Sequence, residues 1–229
     1  MRAIYLPNIS FHIDEEVEVI GNSHHHLKNV LRIPESSNIL ILDGNGSKIT
    51  ATITKSEKRK TTLKVNTIFK EDNSATLDIF VSQVKKDAMD LVFKQACELK
   101  IRTLYIGETE YSQRYEINQT RLESVLQNSI EQSNNSYFPV IKKSNLEIIK
   151  NYEQILYFDS VNSQENTIIQ SEKSTILILG PEGGFSDKEL NYMANMEESK
   201  GIHFDTAILR TPTAFACAVG YVMGALSQK

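Results

Sequence analysis

The first seventy residues alternate short apolar runs with turn residues, a pattern typical of β-strands. There are five such runs, RAIYL, EVEVI, NILILDG, KITATIT and TTLKVNTIF, and turn signals such as DGNG at 43 to 46 separate them from one another. We predict from them a small β-barrel. One helix interrupts the strands, and its signals place its start after Ser23 and its end before Pro34.

From residue 76 onward the pattern changes to strands that alternate with helical stretches, which predicts an α/β domain with a largely parallel sheet. ILYFD, TILILG and GIHFD are three of its strands. A helix is predicted after the strand LDIFVSQV, because apolar side chains recur there with helical spacing at Met89, Val92, Phe93, Ala96 and Cys97. A second helix is predicted from a capping box of Thr120 and Glu123. We therefore expect two domains, at residues 1–73 and 74–229.

The amino-acid composition indicates the class of protein to which the chain belongs. The 229 residues are 40% hydrophobic and 24% charged, values typical of a folded globular chain. No apolar run approaches the roughly 20 residues of a membrane span, and the opening MRAIYLPNIS lacks the apolar core of a signal peptide. We therefore expect a cytoplasmic protein. Cys97 and Cys217 lie in apolar helical stretches, and we predict that both are buried thiols.

The net charge of -4 argues mildly against a protein that coats nucleic acid nonspecifically. Lysine and arginine are nevertheless concentrated between Lys48 and Lys70, where Glu57 is the only acidic residue. This segment could face RNA phosphates, or it could be a solvated hairpin tip, and both interpretations stay open. We expect the acidic cluster at residues 14–18 to face away from any RNA.

The segment TILILGPEGGFSDKEL, residues 175–190, carries the strongest local signal. Its apolar run leads to Gly180, where a turn rich in glycine and proline exposes backbone donors at the carboxyl end of a strand. Ligands bind at such ends in α/β sheets. Ser186 and Glu189 fit a capping box, so a helix is predicted to begin directly after the turn.

This turn differs from the loops that bind phosphate. It has neither of the usual glycine spacings, and Glu182 would repel an anion. A cationic or neutral ligand therefore suits it better. The alternative is a tight turn between strand and helix that binds nothing, and the segment alone does not decide between them.

A second segment, FDTAILRTPTAFACAVGYVMGAL at residues 204–226, predicts a terminal helix with Thr211 as N-cap and Pro212 as its first residue. Its many small residues indicate an ordinary core helix or a subunit contact. Arg210 lies between an apolar run and a helix start, where a guanidinium requires an anionic partner. That partner could belong to a structural salt bridge or to a substrate.

Together, ILGPEGGFS and ILRTPTA resemble the paired cofactor loops of the 16S rRNA uracil-N3 methyltransferases of the SPOUT class. HHLKNVLRI is similar to the N-terminal barrel motif of that family, and SQVKKDAMDLVFKQACELKI and IEQSNNSYFPVI resemble its first two helical stretches. The resemblance implies a PUA-like β-barrel followed by a SPOUT α/β domain with a C-terminal trefoil knot, an exception to the rule against knots. It also implies a homodimer that methylates N3 of a uridine in the 16S rRNA of the small ribosomal subunit.

The family resemblance implies S-adenosylmethionine as sole cofactor, with no metal. The cofactor is expected among three loops, at Phe158, Asp159, Leu179, Gly180, Pro181, Gly183, Gly184, Ile208, Leu209 and Thr213. Arg210 is expected to stabilise the uracil anion, and Glu182 or Glu131 to act as general base. The residues expected to bind RNA are Lys28, Arg32, Lys58, Arg59 and Lys60. The adjacent histidines 24–26 lack metal-ligand spacing.

The chain departs from the family pattern at Asn29, Asn135 and Ala207, where family members usually have arginine. These departures leave open a SPOUT methyltransferase that acts on another RNA, such as tRNA. A second alternative is a noncatalytic RNA-binding or ribosome-assembly factor, which cofactor titration would distinguish. A nucleotide hydrolase is the most distant alternative, because the chain has neither a phosphate loop nor a metal-binding acid pair.

Overall fold

The computed structural model describes residues 1–7, 10–158 and 169–226. The chain forms two compact units, of which the first contains Met1–Ser74 and Glu123–Phe138 and the second contains Ala75–Leu122 and Pro139–Lys229. The sequence pattern did not indicate that a segment beyond residue 74 belongs with the first unit. The domain limits 1–73 and 74–229 therefore stay a prediction.

The first unit contains a five-stranded mixed sheet of β1 (Ala3–Tyr5), β2 (Glu16–Ile20), β3 (Asn38–Leu42), β4 (Ser47–Ser56) and β5 (Lys60–Lys70). The strand order is β1-β3-β4-β5-β2; β1 and β3 are parallel and the other neighbours are antiparallel. Alternate side chains point to an apolar core, as the alternation in β2 shows with Val17 and Val19 buried. All five predicted strands are confirmed.

The predicted helix of the first unit starts and ends three residues earlier than its pattern indicated. An α-helical turn α1 (Gly21–His25) continues into a π-helical turn over His26–Val30. Leu27 is its buried anchor. The buried His24 is held by Thr61, whose Oγ1 lies 2.8 Å from His24 Nδ1. This hydrogen bond makes His24 a structural residue of the sheet.

The segment Glu123–Phe138 is tied to the sheet of the first unit. The Tyr137 hydroxyl donates to the Glu71 carbonyl over 2.6 Å, and the Tyr5 amide donates to Glu131 Oε1 over 2.8 Å. Gly46 allows the close approach, since a Cβ on it would lie 2.3 Å from the Tyr137 hydroxyl oxygen. Its φ of +98° also favours glycine.

The second unit contains a six-stranded parallel sheet in the order β11-β9-β10-β6-β7-β8. Its strands are β6 (Asp78–Ser82), β7 (Thr103–Gly107), β8 (Val140–Ser144), β9 (Gln154–Phe158), β10 (Thr175–Leu179) and β11 (Ser199–Ile202). The helices are α2 (Lys86–Glu98), α3 (Gln119–Ser133), which continues into the first unit, α4 (Asp187–Ala194) and α5 (Thr211–Leu226); a 3-10 turn covers Leu146–Asn151. The parallel sheet is confirmed, and β8 is a strand that the pattern did not predict.

Helix boundaries show which local signals were sufficient. The apolar stripe predicted for α2 is confirmed, because the same five side chains are buried. The Ser186 and Glu189 capping box is confirmed at the start of α4. For α3 the predicted cap was wrong, since Asn118 Oδ1 accepts the Arg121 amide over 2.9 Å. Helix α5 includes Thr211, so Arg210 rather than Thr211 precedes it.

An ion pair lies at the amino end of the central strands. Arg102 donates to both carboxylate oxygens of the buried Asp78, over 2.8 and 2.6 Å, and the Tyr152 hydroxyl donates over 2.5 Å. Burial opposes ionisation of Asp78, but these hydrogen bonds and the charge of Arg102 outweigh it and lower the pKa of the carboxyl. This end of the sheet is therefore fixed by paired groups, whereas the opposite, carboxyl edge carries the loops that form a cavity.

Within the described ranges, no helix combines the length and the apolar character that crossing a bilayer requires. Cys97 is buried as predicted, but the prediction for Cys217 was wrong, because this thiol is exposed. Helix α5 buries the side that contains Phe215, Ala218 and Val222, and Cys217 lies on another side. An apolar helix thus presents an exposed side that its composition did not reveal.

Candidate active site

A cavity of about 380 Å³ lies at the carboxyl edge of the parallel sheet. Its walls come from the ends of β9 and β10, the turn after β10, the chain between β11 and α5, and the start of α5. The volume is in the range of small-molecule sites. The lining residues are Phe158, Leu179, Gly180, Pro181, Glu182, Gly183, Gly184, Phe185, His203, Phe204, Thr206, Ala207, Ile208, Leu209, Thr211 and Ala214.

Most residues expected to hold a cofactor lie in this wall. They are Phe158, Leu179, Gly180, Pro181, Gly183, Gly184, Ile208 and Leu209. Thr213 does not line the cavity and is exposed on α5, while Asp159 lies outside the described residues. The expectation missed lining residues such as His203, Phe204 and Thr206, although their position directly after β11 at the same sheet edge is a signal that could have identified them.

The turn after β10 is held in a defined shape. The Gly184 amide donates to the Pro181 carbonyl over 2.9 Å, and Gly184 has a φ of +73°, which favours glycine. The buried Thr211 hydroxyl lies 3.4 Å from the Gly180 carbonyl oxygen, to which it donates a long hydrogen bond. This contact joins the turn to the beginning of α5, so the two motifs recognised in the sequence form one site.

Glu189 fixes the turn from its other side. Its Oε2 accepts the Ser186 amide over 2.9 Å, and its Oε1 accepts the Glu110 amide over 2.9 Å. One carboxylate therefore connects the start of α4 to the loop after β7. The capping box was predicted, but its link to Glu110 was not, because the two residues are far apart in sequence.

The cavity wall suits a ligand with a positive charge and flat apolar parts. Glu182 lies in the wall, and no lysine or arginine lines it among the residues that the structure describes. Phe158 and Phe204 pack edge to face with ring centroids 4.8 Å apart, and form an aromatic corner. Ile208, which is 90% exposed, extends the apolar surface at the rim.

Arg210 is placed differently from the expectation. Its side chain is exposed, it does not line the cavity, and no ion pair joins it to another described residue. No structural salt bridge therefore holds Arg210 among the described residues, because the chain before α5 runs along the surface, and a substrate anion as its partner stays a prediction. Between Leu209 and Thr211, two wall residues, Arg210 still lies next to the cavity.

Glu131, one of the two candidate general bases, lies in the first unit. Its carboxylate is largely buried and accepts the Tyr5 amide, and His26 Nε2 lies 3.9 Å from its Oε2. It is not among the residues that line the cavity. These contacts give Glu131 a structural role, which leaves Glu182 as the candidate base.

Four of the five residues expected to bind RNA lie at the hairpin between β4 and β5, where Lys60 is the first residue of β5. Lys58 and Arg59 are exposed at its tip, and the Lys28 ammonium donates to the Glu57 carbonyl over 2.5 Å. Arg32 is exposed on the segment before β3, where its Nε lies 3.4 Å from the Asn29 carbonyl oxygen.

Strand pairing changes the charge of the neighbouring surface. Lys60 pairs with Glu18 over 2.5 Å and Lys64 with Asp14 over 2.9 Å, because β2 lies next to β5. The acidic cluster therefore pairs with part of the basic segment, and its orientation away from RNA stays a prediction. Lys58 and Arg59 make no ion pair with any residue in the described ranges, so the tip is the most available cationic part of this surface.

The positions without the family arginines have different environments. Asn29 is exposed, and Ala207 is exposed at the cavity wall. Asn135 is buried, and its Oδ1 accepts the Tyr137 amide over 3.2 Å. Asn135 thus supports the segment that packs on the first sheet. No group of three His, Cys, Asp or Glu side chains that could hold a metal occurs among the described residues.

Comparisons with known proteins give the family. A model described as an RNA methyltransferase domain matches residues 70–223, and one described as an RNA methyltransferase PUA domain matches residues 21–66. The chain is 27% identical over 219 residues to the ribosomal RNA small subunit methyltransferase E of Rickettsia conorii, covering 91% of this chain and 90% of that protein. It is 26% identical over 221 residues to a second such protein, from Borreliella burgdorferi, covering 90% and 89%.

A crystal structure of ribosomal RNA small subunit methyltransferase E from Neisseria gonorrhoeae bound to S-adenosylmethionine has the same fold. Its TM-score is 0.80 at 23% identity, with 98% of this chain and 97% of that chain covered. The methyltransferase model covers well over half of the chain, and it includes every residue that lines the cavity. The chain therefore belongs to the RNA methyltransferase family whose catalytic domain is joined to a PUA domain.

Proposed function

We propose that the protein transfers a methyl group from S-adenosylmethionine to N3 of a uridine in 16S rRNA of the small ribosomal subunit. The observation that carries this proposal is the cavity at the carboxyl edge of the sheet, whose wall, as far as its residues are described, contains Glu182 and neither lysine nor arginine. A sulfonium ligand matches that charge. The relatives named as small subunit rRNA methyltransferases, which align over nearly the whole chain, support the choice of RNA.

The wall has the chemistry that S-adenosylmethionine requires. Phe158, Leu179 and Ile208 provide apolar surface for the adenine, and the backbone of the turn at 180–184 provides polar groups for its edges. When bound, this cofactor supplies a methyl group on a positively charged sulfur, an electrophile that needs no metal. We propose that Gly183 and Gly184 let the backbone approach it closely.

The chain must make uridine N3 nucleophilic, because N3 carries a proton at neutral pH. We propose that Glu182, exposed in the cavity wall, accepts this proton. Arg210, next to the wall, would then face the negative charge that develops on the uracil. The base must leave its stack to reach the cavity, as enzymes that modify bases generally require.

The remaining features of the family are proposed in the same way. We propose that Lys28, Arg32, Lys58, Arg59 and Lys60 contact RNA phosphates, with the hairpin tip as their centre. We propose a trefoil knot in the C-terminal chain; the central position of β10 and the contact of Thr211 with Gly180 are compatible with it. The site of action would be the cytoplasm, where ribosomal subunits are assembled.

Deleting the gene should remove one methylated uridine from 16S rRNA. Mass-spectrometric mapping of rRNA and tRNA from the two strains measures this directly, and a plasmid copy of the gene should restore the modification. An unchanged rRNA profile would exclude the proposed substrate. A loss confined to tRNA would assign the enzyme to that RNA instead, the alternative that the missing family arginines at Asn29, Asn135 and Ala207 leave open.

We also expect a homodimer formed through α5. Gly220 and Gly224 are exposed there, and a Cβ on either would meet no atom within 4 Å. Cys217, Tyr221 and Met223 are also exposed on this helix. Small and apolar residues on one exposed helix allow a second copy to pack closely. Light scattering at micromolar concentration should give twice the chain mass of 26.0 kDa.

A single charged substitution on α5 tests whether this helix forms the dimer interface. Gly220→Arg should yield a folded monomer, because arginine favours the helix but cannot be buried against a second copy. Leu91→Arg, at an exposed position of α2, is the matched control and should stay dimeric. A wild-type monomer with full methylation activity would contradict the prediction.

A further inference from the structure

The loop after β7 is held rigidly at the same sheet edge as the cavity. The Thr109 hydroxyl donates to Ser82 Oγ over 2.9 Å in a buried contact. Ser112 Oγ accepts the Thr109 amide and donates to the Thr109 carbonyl. The Gln113 amide donates to the Gln83 carbonyl over 2.7 Å. The loop from Glu108 to Gln113 therefore has a fixed backbone, anchored to the end of β6.

This loop adjoins the turn that lines the cavity. Glu189 accepts the Glu110 amide with one carboxylate oxygen and the Ser186 amide with the other. The next residue, Tyr111, packs on the turn: its Cβ lies 3.1 Å from the position that a Cβ on Gly183 would occupy. Tyr111 is consequently fixed beside the rim of the cavity.

The Tyr111 side chain is 51% exposed. Within the described ranges its hydroxyl makes no hydrogen bond and its ring packs on no other aromatic ring. A large aromatic group on a rigid backbone, half open to solvent beside a ligand cavity, suits a stacking contact. Unstacked RNA bases are recognised in this way on aromatic side chains. Stacking is also compatible with any base, since every base has a π-face.

We propose that Tyr111 is the platform on which a nucleobase of the RNA substrate stacks when the target uridine enters the cavity. This inference rests on the proposed RNA methyltransferase function and adds a substrate-binding residue to it. Neither the glycine turn nor the helix motif contains Tyr111. The ring gives the displaced base an apolar surface in place of its lost neighbours, and lowers the free energy of the state in which the base is out of its stack.

Tyr111→Ala should weaken RNA binding about 5- to 150-fold, the loss expected for one stacked base. The RNA probe is the small ribosomal subunit from cells that lack the gene, and S-adenosylmethionine affinity, measured by calorimetry, should stay unchanged. Tyr111→Phe keeps the ring and should behave as wild type. Leu91→Ala removes an apolar side chain of equal exposure from α2 and serves as the control for nonspecific surface effects.

A fluorescence readout separates stacking from a structural role. The chain has no tryptophan, so Tyr111→Trp places a single indole at the site. Its emission should be quenched when the subunit binds, and methylation should be retained. Unchanged emission from a protein that still methylates the subunit would overturn the inference, as would normal RNA affinity of Tyr111→Ala.

A failure of the Tyr111 platform can be distinguished from an error in the proposed RNA substrate. If the wild type methylates tRNA instead of the small subunit, the same variants are measured on tRNA, and the same quenching and loss of affinity are expected there. A wild type that binds neither RNA would overturn both the function and the inference. Loss of S-adenosylmethionine binding in Tyr111→Ala would assign the side chain to support of the turn and would also overturn the platform.

Discussion

Gly183→Val should abolish calorimetrically detectable binding of S-adenosylmethionine while the protein stays folded. Gly183 lines the cavity, and a Cβ there would already lie 3.1 Å from Tyr111 Cβ. The valine methyl groups must therefore displace the loop after β7 or the turn itself. Overpacking of this kind costs about 1–3 kcal/mol, and the displaced turn also loses the backbone contacts proposed for the ligand, so the two losses together should take binding below detection.

The experiment compares binding isotherms and thermal melts of the wild type, Gly183→Ala and Gly183→Val. Alanine should give an intermediate loss, because it brings one methyl group where valine brings three carbons. Thr213→Val is the matched control: Thr213 belongs to the second motif but lies outside the cavity wall, so the affinity of this variant for S-adenosylmethionine should not change. Normal binding by a folded Gly183→Val variant would show that the ligand occupies another site.

Arg210→Ala should lower the single-turnover rate of methylation about 10²- to 10³-fold, equivalent to about 2.7 to 4 kcal/mol, by analogy with the loss of one oxyanion donor. The side chain is exposed, next to the cavity wall, and has no ion-pair partner among the residues that the structure describes. A guanidinium without an internal partner is available to an anion on the substrate. RNA that covers the site would also shield this contact from water and strengthen it.

Arg210→Lys should also be impaired, since it keeps the charge but loses the planar pair of donors. Lys188→Ala, which removes an exposed cation from α4, should retain the wild-type rate. Melting temperature and S-adenosylmethionine affinity are measured for each variant. A rate loss that merely follows lost stability or lost cofactor affinity would assign Arg210 to the structure of the α5 start, and another group would have to stabilise the uracil.

Local patterns were sufficient for the features that depend on neighbours in sequence. The stripe of Met89 and Val92, the capping box of Ser186 and the glycine turn are each determined within a few residues, and the structure confirms the elements predicted from them. Strand β8 was missed because its sequence VIKKS lies at a sheet edge, where no side chain is fully buried and no apolar run is needed.

Features that depend on contacts between residues far apart in the sequence could not be predicted from local patterns. The ion pairs of Lys60 and Lys64 follow from the register of β5 with β2, and the role of Glu131 follows from Tyr5, more than a hundred residues away. The exposure of Arg210 could not be inferred either, because the apolar residues around it do not reveal which side of the chain packs against the protein and which side faces solvent. For the same reason the residues of the cavity wall were easier to predict than the charge distribution on the surface of the first unit.

The segment Glu123–Phe138 affects when the first unit can complete its folding during synthesis. All five strands of the first unit have been synthesised once the ribosome has reached Lys70. Tyr137 and Glu131, which bind Glu71 and Tyr5, emerge from the ribosome only after α2 and β7 have been made. The N-terminal unit therefore reaches its final packing late in translation. A gene fragment truncated at Ser74 would lack these contacts from the outset, so an isolated PUA fragment for RNA-binding work should include the later segment, joined by a linker.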